Sequence, residues 1–319
     1  MTAPTLNDIY AARERVYRVV RPTPLLRHPL LVQESGLNIS VKHENHNPTG
    51  AFKVRGGLNL IASLCGEDRR GVVTATTGNH GQSIALACQR EGVPCTIVVP
   101  VGNNPEKNAA MRALGAELIE FGKDFDEARV EVERLQHARG LRYVHSANEP
   151  LLLAGVGTYG LEIFEAMPDA DVILVPIGGG SGACGCAIAR TGLGSKAKVI
   201  GVQAARADAF ARSWRGPSRV TAEKAETFAE GMATRVTFDL TFDILKKELD
   251  DIVSLSEDEL AEGVRLALRT THNLAEGAGA ASLIAALKIR DQLAGKNVVC
   301  VMSGGNIDQA TLKRILTSA

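Results

Sequence analysis

The run of glycines at residues 178–182 (GGGSG) is the segment with the clearest potential for chemistry. It follows a short apolar run and precedes a helical stretch, so several backbone N–H groups point to one place with the positive end of a helix behind them. Such an arrangement suits an anion, and phosphate best. The spacing is neither G-x-G-x-x-G nor the Walker form, which favours a small phosphorylated ligand over a dinucleotide or a nucleoside triphosphate. The alternative is a tight turn whose glycines serve packing.

Lys53 is the candidate for covalent chemistry. It lies within residues 42–57 (KHENHNPTGAFKVRGG), beside Phe52 and shortly before two glycines. A lysine held in a partly dry pocket has a lowered pKa and can form a Schiff base with a carbonyl compound. On spacing alone, the alternative of an exposed lysine at the start of a helix stays open.

Two polar turns could complete such a site. Residues 76–82 (TTGNHGQ) open a helix, where consecutive N–H groups could hold a carboxylate and Asn79 could bond a ring hydroxyl. Residues 303–308 (SGGNID) follow another apolar run and could point a hydroxyl into the same cleft. The alternative for His80 is a capping or core histidine, and the alternative for Glu276 is a charge that complements a helix dipole.

The elements that must position these turns alternate along the chain between β-branched runs and helical stretches. The pattern predicts strands at residues 72–77, 95–100, 117–121, 142–145, 172–177, 198–203 and 298–302. It predicts helices at residues 82–90, 105–114, 125–138, 157–166, 183–190, 260–270 and 278–293. This alternation indicates an α/β fold of two open, twisted, mostly parallel sheets with flanking helices. In such sheets ligands bind at the carboxyl ends of the strands, which is where the three turns lie.

The even spacing of the strands between residues 72 and 145 predicts a lobe of its own. We therefore expect a small mobile α/β domain at residues 71–148 and a large ligand-binding domain made of residues 1–70 and 149–319. The rhythm breaks at residues 206–235, which contain no clear strand. We expect this stretch to form a loop and a helix near the site.

Composition excludes several classes of protein. The 319 residues carry 36 basic and 36 acidic side chains, which argues against a nucleic-acid binder, and 45% are hydrophobic, which argues against disorder. No apolar run reaches the roughly 18–20 residues of a membrane helix, and residues 1–15 lack the apolar block of a signal peptide. The six cysteines form no C-x-x-C pair, so we expect reduced core thiols in a cytoplasmic protein.

Taken together, the residues from about 21 to the C-terminus resemble the fold-type-II pyridoxal-phosphate enzymes, and within them the serine/threonine dehydratase and serine racemase branch. The resemblance covers the catalytic domain only and is carried by residues 51–56 (AFKVRG) and by the three turns, which follow one another in the family's order. It implies a tryptophan synthase β-like fold, pyridoxal 5′-phosphate as the cofactor and a homodimer.

The resemblance also implies the residues that hold the cofactor. Lys53 would form the Schiff base with it, and Phe52 would pack beside it. Asn79 would bond the ring hydroxyl, Ser303 would bond the ring nitrogen, and Glu276 would lie near that nitrogen. The phosphate would lie on Gly178, Gly179, Gly180, Ser181 and Gly182.

The substrate site follows from the same resemblance. The amino-acid carboxylate would lie on the loop that contains Thr76, Thr77, Asn79 and His80, and residues 227–233 (TFAEGMA) would line the cleft. The implied reaction removes water and ammonia from an L-3-hydroxy amino acid to give a 2-oxo acid, with Lys53 as the general base that takes the Cα proton. Threonine, serine and a bulkier substrate such as phenylserine stay open.

Several departures from the family pattern leave alternatives. Residues 43–47 (HENHN) differ from the usual dehydratase sequence and favour a bulkier substrate. Thr77 stands where racemases carry a serine that protonates the opposite face of Cα, and its β-branching restricts it. A racemase or epimerase is still the first alternative, followed by a β-replacement enzyme and a non-catalytic binding protein. Gln203 and Ala209 replace the carboxylates of a divalent-metal site, so no metal is expected.

Overall fold

The computed structural model describes residues 1–318, apart from the side chain of residue 126, and has an α/β architecture with two separate sheets. The strands are β1 (Leu25–Leu26), β2 (Asn38–His43), β3 (Val72–Ala75), β4 (Cys95–Val99), β5 (Glu117–Glu120), β6 (Arg142–Tyr143), β7 (Val172–Pro176), β8 (Lys198–Ala204), β9 (Asp251–Leu255) and β10 (Asn297–Met302). Both sheets are mostly parallel and are flanked by helices, so the predicted fold class is confirmed.

The helices precede, connect and follow these strands. They are α1 (Leu6–Val16), α2 (Pro29–Ser35), α3 (Lys53–Ala62), α4 (Asn79–Glu91), α5 (Pro105–Ala113), α6 (Phe125–Arg139), α7 (Pro150–Ala166), α8 (Ser181–Gly192), α9 (Ala209–Arg215), α10 (Asp239–Glu248), α11 (Glu257–Thr271), α12 (Gly277–Lys288), α13 (Arg290–Leu293) and α14 (Gln309–Thr317). In the part of the chain that the structure describes, no helix combines the length and apolarity needed to cross a membrane.

The larger sheet has the strand order β1-β2-β10-β7-β8-β9. Its strands run parallel except for β1, which pairs antiparallel with β2 at one edge. The central strands β10 and β7 are buried along almost their whole length, as expected for parallel strands covered by helices on both faces. Their carboxyl ends therefore meet at one edge, where the turns at residues 178–182 and 303–308 begin.

The smaller sheet has the order β5-β4-β3-β6 and is parallel throughout. Its strands all lie between residues 72 and 143, and helices α4, α5 and α6 connect them. The division of the chain into a mobile domain at residues 71–148 and a larger remainder stays a prediction.

Several helices begin earlier than the sequence pattern predicted. Helix α4 begins at Asn79 rather than at residue 82, α7 at Pro150 rather than at 157, and α8 at Ser181 rather than at 183. In α4 and α8, polar or small residues that were interpreted as part of a turn form the first helical turn. This moves Asn79, His80 and Ser181 from loops onto helix N-termini. The first turn of α7 lies in a segment to which the sequence pattern assigned no element. The predicted helix at residues 278–293 divides into α12 and α13.

Candidate active site

A cavity of about 870 Å³ lies between the two sheets at the carboxyl ends of β3, β7 and β10. Every residue that the sequence singled out for cofactor or substrate binding lines it: Phe52, Lys53, Thr76, Thr77, Asn79, His80, Gly178, Gly179, Gly180, Ser181, Gly182, Glu276 and Ser303. The structure thus brings together segments that are far apart in sequence, while the individual roles of these residues stay predictions.

The Lys53 side chain is half-buried on the cavity wall. Its Nζ donates to Ser181 Oγ at 2.7 Å and lies 3.5 Å from the carbonyl oxygen of Ser146. Burial lowers the pKa of Lys53 to about 8, only partly opposed by the nearby Cys184 thiol. Among the described residues no carboxylate pairs with it. With this pKa, about a tenth of the amine is neutral and nucleophilic at neutral pH.

Backbone pairing fixes the start of the lysine-bearing helix against the end of β10. The N–H of Phe52 donates to the carbonyl of Ser303 at 3.1 Å, and the N–H of Gly305 donates to the carbonyl of Gly50 at 2.8 Å. From the other lobe, Ser83 Oγ donates to the carbonyl of Lys53 at 2.6 Å. The lysine is therefore held by both sides of the cavity.

The glycine-rich turn leads from β7 into α8. Gly180 has a φ of +90°, and a Cβ on Gly178 would lie 2.0 Å from the carbonyl oxygen of Gly231. The backbone conformation at Gly180 and the close approach of Gly231 at Gly178 therefore require glycine without any ligand. This is the packing explanation that the sequence left open. The turn nevertheless places the unpaired N–H groups at the N-terminus of α8, together with the Ser181 hydroxyl, on the cavity wall. It is an anion cradle next to the Lys53 amine.

We expect Gly178→Ala to destabilise the cofactor-free protein by about 3 kcal/mol, because the added Cβ meets backbone that cannot turn away. Gly179→Ala is the matched control: its Cβ would lie 3.4 Å from Ala147 Cβ and 3.5 Å from the Phe238 ring, which are ordinary contacts. The control should cost less than about 1 kcal/mol. Urea unfolding of both variants measures the difference, and equal destabilisation would contradict this interpretation of the turn.

The loop before α4 brings a second set of N–H groups to the cavity. Thr76 Oγ1 accepts from the N–H groups of Gly78 and Gly81, at 3.0 and 3.3 Å, and its own hydrogen stays available as a donor. The N–H groups of Asn79 and His80 lie in the first turn and have no intrahelical acceptor. Thr77 is half-exposed on the cavity wall. Backbone N–H groups and threonine hydroxyls are therefore what this loop offers to a carboxylate.

His80 is a neutral, buried side chain. Burial, with the nearby charge of Lys53, lowers its pKa to about 3. The Thr74 hydroxyl donates to the carbonyl of Val144 at 2.7 Å and can therefore accept from His80 Nε2, 3.0 Å away. This pairing assigns the ring proton to Nε2, and Nδ1 is a buried atom without a partner. Nε2 of His80 therefore bonds inside the protein, as expected for a core histidine.

The polar groups at the end of β10 form a chain across the cavity wall. Asn79 Nδ2 donates to Glu276 Oε1 at 2.6 Å, and Asn306 Nδ2 donates to Asn79 Oδ1 at 2.8 Å. Burial raises the pKa of Glu276. The Ser303 hydroxyl has only a long bond of 3.4 Å, to the carbonyl of Ala278. This hydroxyl lines the cavity and is only weakly bonded by the protein.

Residues 43–47, whose sequence was interpreted as favouring a bulkier substrate, do not line the cavity. Glu44 is fully buried and accepts from Arg55 Nε at 2.7 Å, and His43 is buried against His28. The unusual sequence builds the core beneath α3. In contrast, the expectation that residues 206–235 contain a helix and lie near the site is met, since α9 begins at Ala209 and residues 223–226 and 230–231 line the cavity.

Gln203 bonds to the helix that begins at Ala209. Gln203 Oε1 accepts from the N–H of Ala211 at 2.8 Å and thereby satisfies the N-terminus of α9. Within residues 1–318, no group of three or more His, Cys, Asp or Glu side chains is arranged to hold a metal ion.

Sequence reasoning missed Lys107 and gave no role to Glu230. Both line the cavity and form an ion pair across it, from α5 and from residues 230–232 respectively. Glu230 lies in the singled-out stretch 227–233, whereas Lys107 looks like an ordinary lysine at a helix start. Only the folded arrangement shows that they meet.

Comparisons with known proteins show what the chain is similar to. A family model described as pyridoxal-phosphate dependent enzyme matches residues 16–304. The chain is 41% identical over 313 residues to an L-threonine ammonia-lyase of Thermotoga maritima, covering 98% of this chain and 78% of that protein. It is similar to the structure of processed threonine deaminase isoform 2 from Solanum lycopersicum, with a TM-score of 0.90, 29% identity and coverage of 99% and 89% of the two chains. It is also similar to maize serine racemase, with a TM-score of 0.93, 27% identity and coverage of 99% and 97%.

Proposed function

The chain belongs to the pyridoxal-phosphate-dependent enzyme family, and on this premise we propose that it is a lyase that converts an L-3-hydroxy amino acid to a 2-oxo acid with loss of water and ammonia. The observation that carries the proposal is the Lys53 amine, whose pKa is lowered by burial and which lies 2.7 Å from Ser181 Oγ at the start of α8. Among the described residues it has no carboxylate partner. The names of the relatives, threonine ammonia-lyase and threonine deaminase, support the same reaction.

The donor set of the cavity fits pyridoxal phosphate. The cradle of residues 178–182 matches a phosphate, and the neighbouring lysine matches an aldehyde carbon. Asn79, whose Nδ2 has a second hydrogen beyond the bond to Glu276, would bond the ring hydroxyl. The weakly engaged Ser303 hydroxyl would bond the ring nitrogen, and the Phe52 ring would pack beside the cofactor.

When bound, the cofactor withdraws electrons from the bonds at Cα of the amino acid. Residues of this chain bind the substrate and move the proton. The N–H groups at the start of α4 hold the substrate carboxylate, and the neutral Lys53 amine takes the Cα proton as general base. The Cβ hydroxyl takes up a proton and leaves as water, and a second water molecule hydrolyses the unsaturated amine product to the 2-oxo acid and ammonia. Ser303 carries no charge, so it does not hold a proton on a ring nitrogen, which favours prompt elimination over transamination.

The pKa of Lys53 predicts how the cofactor attaches. Since burial lowers this pKa to about 8, the rate at which the cofactor-free protein binds pyridoxal phosphate covalently should rise with pH and level off above about pH 8, because only the neutral amine attacks. Stopped-flow absorbance measures this rate, with N-acetyl-lysine as the exposed reference amine. A rate that still rises about tenfold per pH unit at about pH 9 in the protein would contradict a lowered pKa.

A racemase is the second candidate function. It is favoured by the similarity to maize serine racemase and by the Thr77 hydroxyl on the cavity wall. Threonine is β-branched and less free to move than the serine expected there, so we rank racemisation below elimination. Chiral analysis of the remaining amino acid, alongside assays of 2-oxo acid and ammonia, separates the two. Inversion faster than elimination would favour the racemase.

The substrate class is tested by a panel of L-3-hydroxy amino acids. The cavity of about 870 Å³ has room beyond the cofactor and threonine, so we propose that serine, threonine and a larger substrate such as phenylserine all be compared. The highest kcat/KM identifies the preferred substituent on Cβ. No 2-oxo acid from any member of the panel would overturn the proposed lyase.

We also propose a homodimer, a cytoplasmic location and independent motion of residues 71–148. Sedimentation analysis checks the oligomeric state, and a monomer in solution would count against the homodimer. Cell fractionation checks the location, and protein found outside the cytoplasm would count against it. Small-angle scattering with and without substrate checks the motion of residues 71–148, and an unchanged profile would count against it.

A further inference from the structure

Lys107 reaches across the cavity from the smaller lobe. It lies on α5, is only 8% exposed, and pairs with Glu230 and, at 3.9 Å, with Glu276 Oε2. Its aliphatic stem lies on the loop before α4, since a Cβ on Gly78 would be 2.7 Å from Lys107 Cδ. Lys107 therefore contacts the loop at residues 76–80 with its stem, and its ammonium group pairs with two carboxylates of the opposite wall.

Glu276 divides its two oxygens between an amide and this ammonium. Oε1 accepts from Asn79 Nδ2 at 2.6 Å, while Oε2 faces Lys107. The other end of the Asn79 amide accepts from Asn306 Nδ2, which also donates to the carbonyl of Thr49 at 2.8 Å. The orientation of the Asn79 amide thus depends on Glu276 being an acceptor at Oε1.

We propose that Lys107 is a positioning residue for the reaction proposed above, on which this inference rests: its ammonium keeps Glu276 a carboxylate, so that Asn79 presents a fixed N–H to the cofactor, while Glu230 competes for the same ammonium. Lys107 touches neither substrate nor reacting atoms in this scheme. It acts on the site through Glu276.

The charges around Glu276 act in opposite directions. Burial raises the pKa of Glu276, Lys107 lowers it, the hydrogen bond from Asn79 lowers it, and Glu230 raises it. Asp308, which precedes α14, also faces Lys107 and helps to keep the ammonium charged. Without Lys107, Glu230 and Glu276 would lose the ammonium that both pair with, and the pKa of Glu276 would rise further. A protonated Glu276 becomes a donor at one oxygen and a weaker acceptor for Asn79.

Three variants test this proposal. Lys107→Met removes the charge and keeps the stem, Lys107→Arg keeps the charge, and Glu230→Gln removes the competitor. The readouts for the cofactor-loaded protein are the acid limb of the kcat/KM profile and, without substrate, the pH titration of the visible absorbance of the bound cofactor. We expect Lys107→Met to shift the acid limb and the absorbance titration to higher pH by about one unit. Glu230→Gln should shift the acid limb and the titration to lower pH, and Lys107→Arg should leave their midpoints near those of the parent protein.

Opposite pH shifts in Lys107→Met and Glu230→Gln distinguish a positioning role of Lys107 from a role in stabilising the fold. If Lys107→Met and Glu230→Gln shift the titrations in the same direction, or if Lys107→Met leaves them unchanged, the proposal is wrong. The absorbance titration needs no turnover. Opposite shifts in absorbance without any lyase activity would therefore sink the proposed function while leaving the Lys107–Glu276 coupling intact.

Discussion

Lys53→Ala is expected to lower turnover by at least about 10⁴-fold, because both the covalent link to the cofactor and the general base are lost. Lys53→Arg should be equally inactive, since a guanidinium group does not lose its proton at working pH. The fold should survive both changes, because the Lys53 amine makes hydrogen bonds only to Ser181 and Ser146. Initial rates with the preferred substrate, together with melting temperatures, measure the two effects separately.

Lys123→Ala is the matched control for this experiment. Lys123 also lines the cavity, but its side chain is 80% exposed and pairs with Glu127 on the surface. Its removal should change turnover by less than about threefold, as expected for an exposed ion pair. Turnover within tenfold of the parent protein in Lys53→Ala would overturn the assignment of the base.

Arg55→Met is expected to give the largest loss of stability, about 3–5 kcal/mol, because it breaks a buried and neutral set of four charges. Arg55 lies two residues after Lys53 on α3 and is fully buried. Its Nε donates to Glu44 at 2.7 Å and its Nη1 donates to Glu162 at 2.6 Å, while Lys42 pairs with Glu162 at 2.5 Å. Without Arg55, Glu44 is left in the core without a cationic partner.

Urea unfolding of the cofactor-free protein measures this loss. Arg13→Met is a matched control, since Arg13 also pairs with a glutamate, Glu165 at 2.7 Å, but both side chains are partly exposed. The control should cost at most about 1 kcal/mol. Arg55→Lys should lie between the two, because an ammonium group cannot donate to both carboxylates with the geometry of a guanidinium. Equal unfolding free energies for Arg55→Met and Arg13→Met would contradict the account of this buried cluster.

Part of the arrangement of the candidate residues follows from a general property of parallel sheets. The turns after β7 and β10 meet because these neighbouring strands end at the same edge of the larger sheet. The turn after β3 belongs to the smaller sheet, and only the folded chain shows that it lines the same cavity. The family resemblance and the fold class are confirmed by the family match and by the solved structures. The roles of single residues are not, and the experiments above address them.

What the sequence could not predict depends on contacts between distant segments. Lys107 and Glu230 are 123 residues apart, and neither helix periodicity nor a motif connects them. The need for glycine at position 178 comes from the carbonyl of Gly231, which only the folded chain brings near. Residues 43–47 were interpreted as a signal of substrate preference, whereas Glu44 serves the buried charge cluster under α3. Polar residues in a motif can thus belong to the core as readily as to a ligand site.

The most direct test of the central claim is the stoichiometry of one reaction. The cofactor-loaded protein is incubated with L-threonine, and the amino acid consumed, the 2-oxo acid and the ammonia are quantified in the same sample, with L-serine and L-phenylserine in parallel. We predict equal amounts of all three for at least one substrate, and none of either product with Lys53→Ala. Amino acid that changes configuration without releasing ammonia, or that is not consumed at all, would contradict the account.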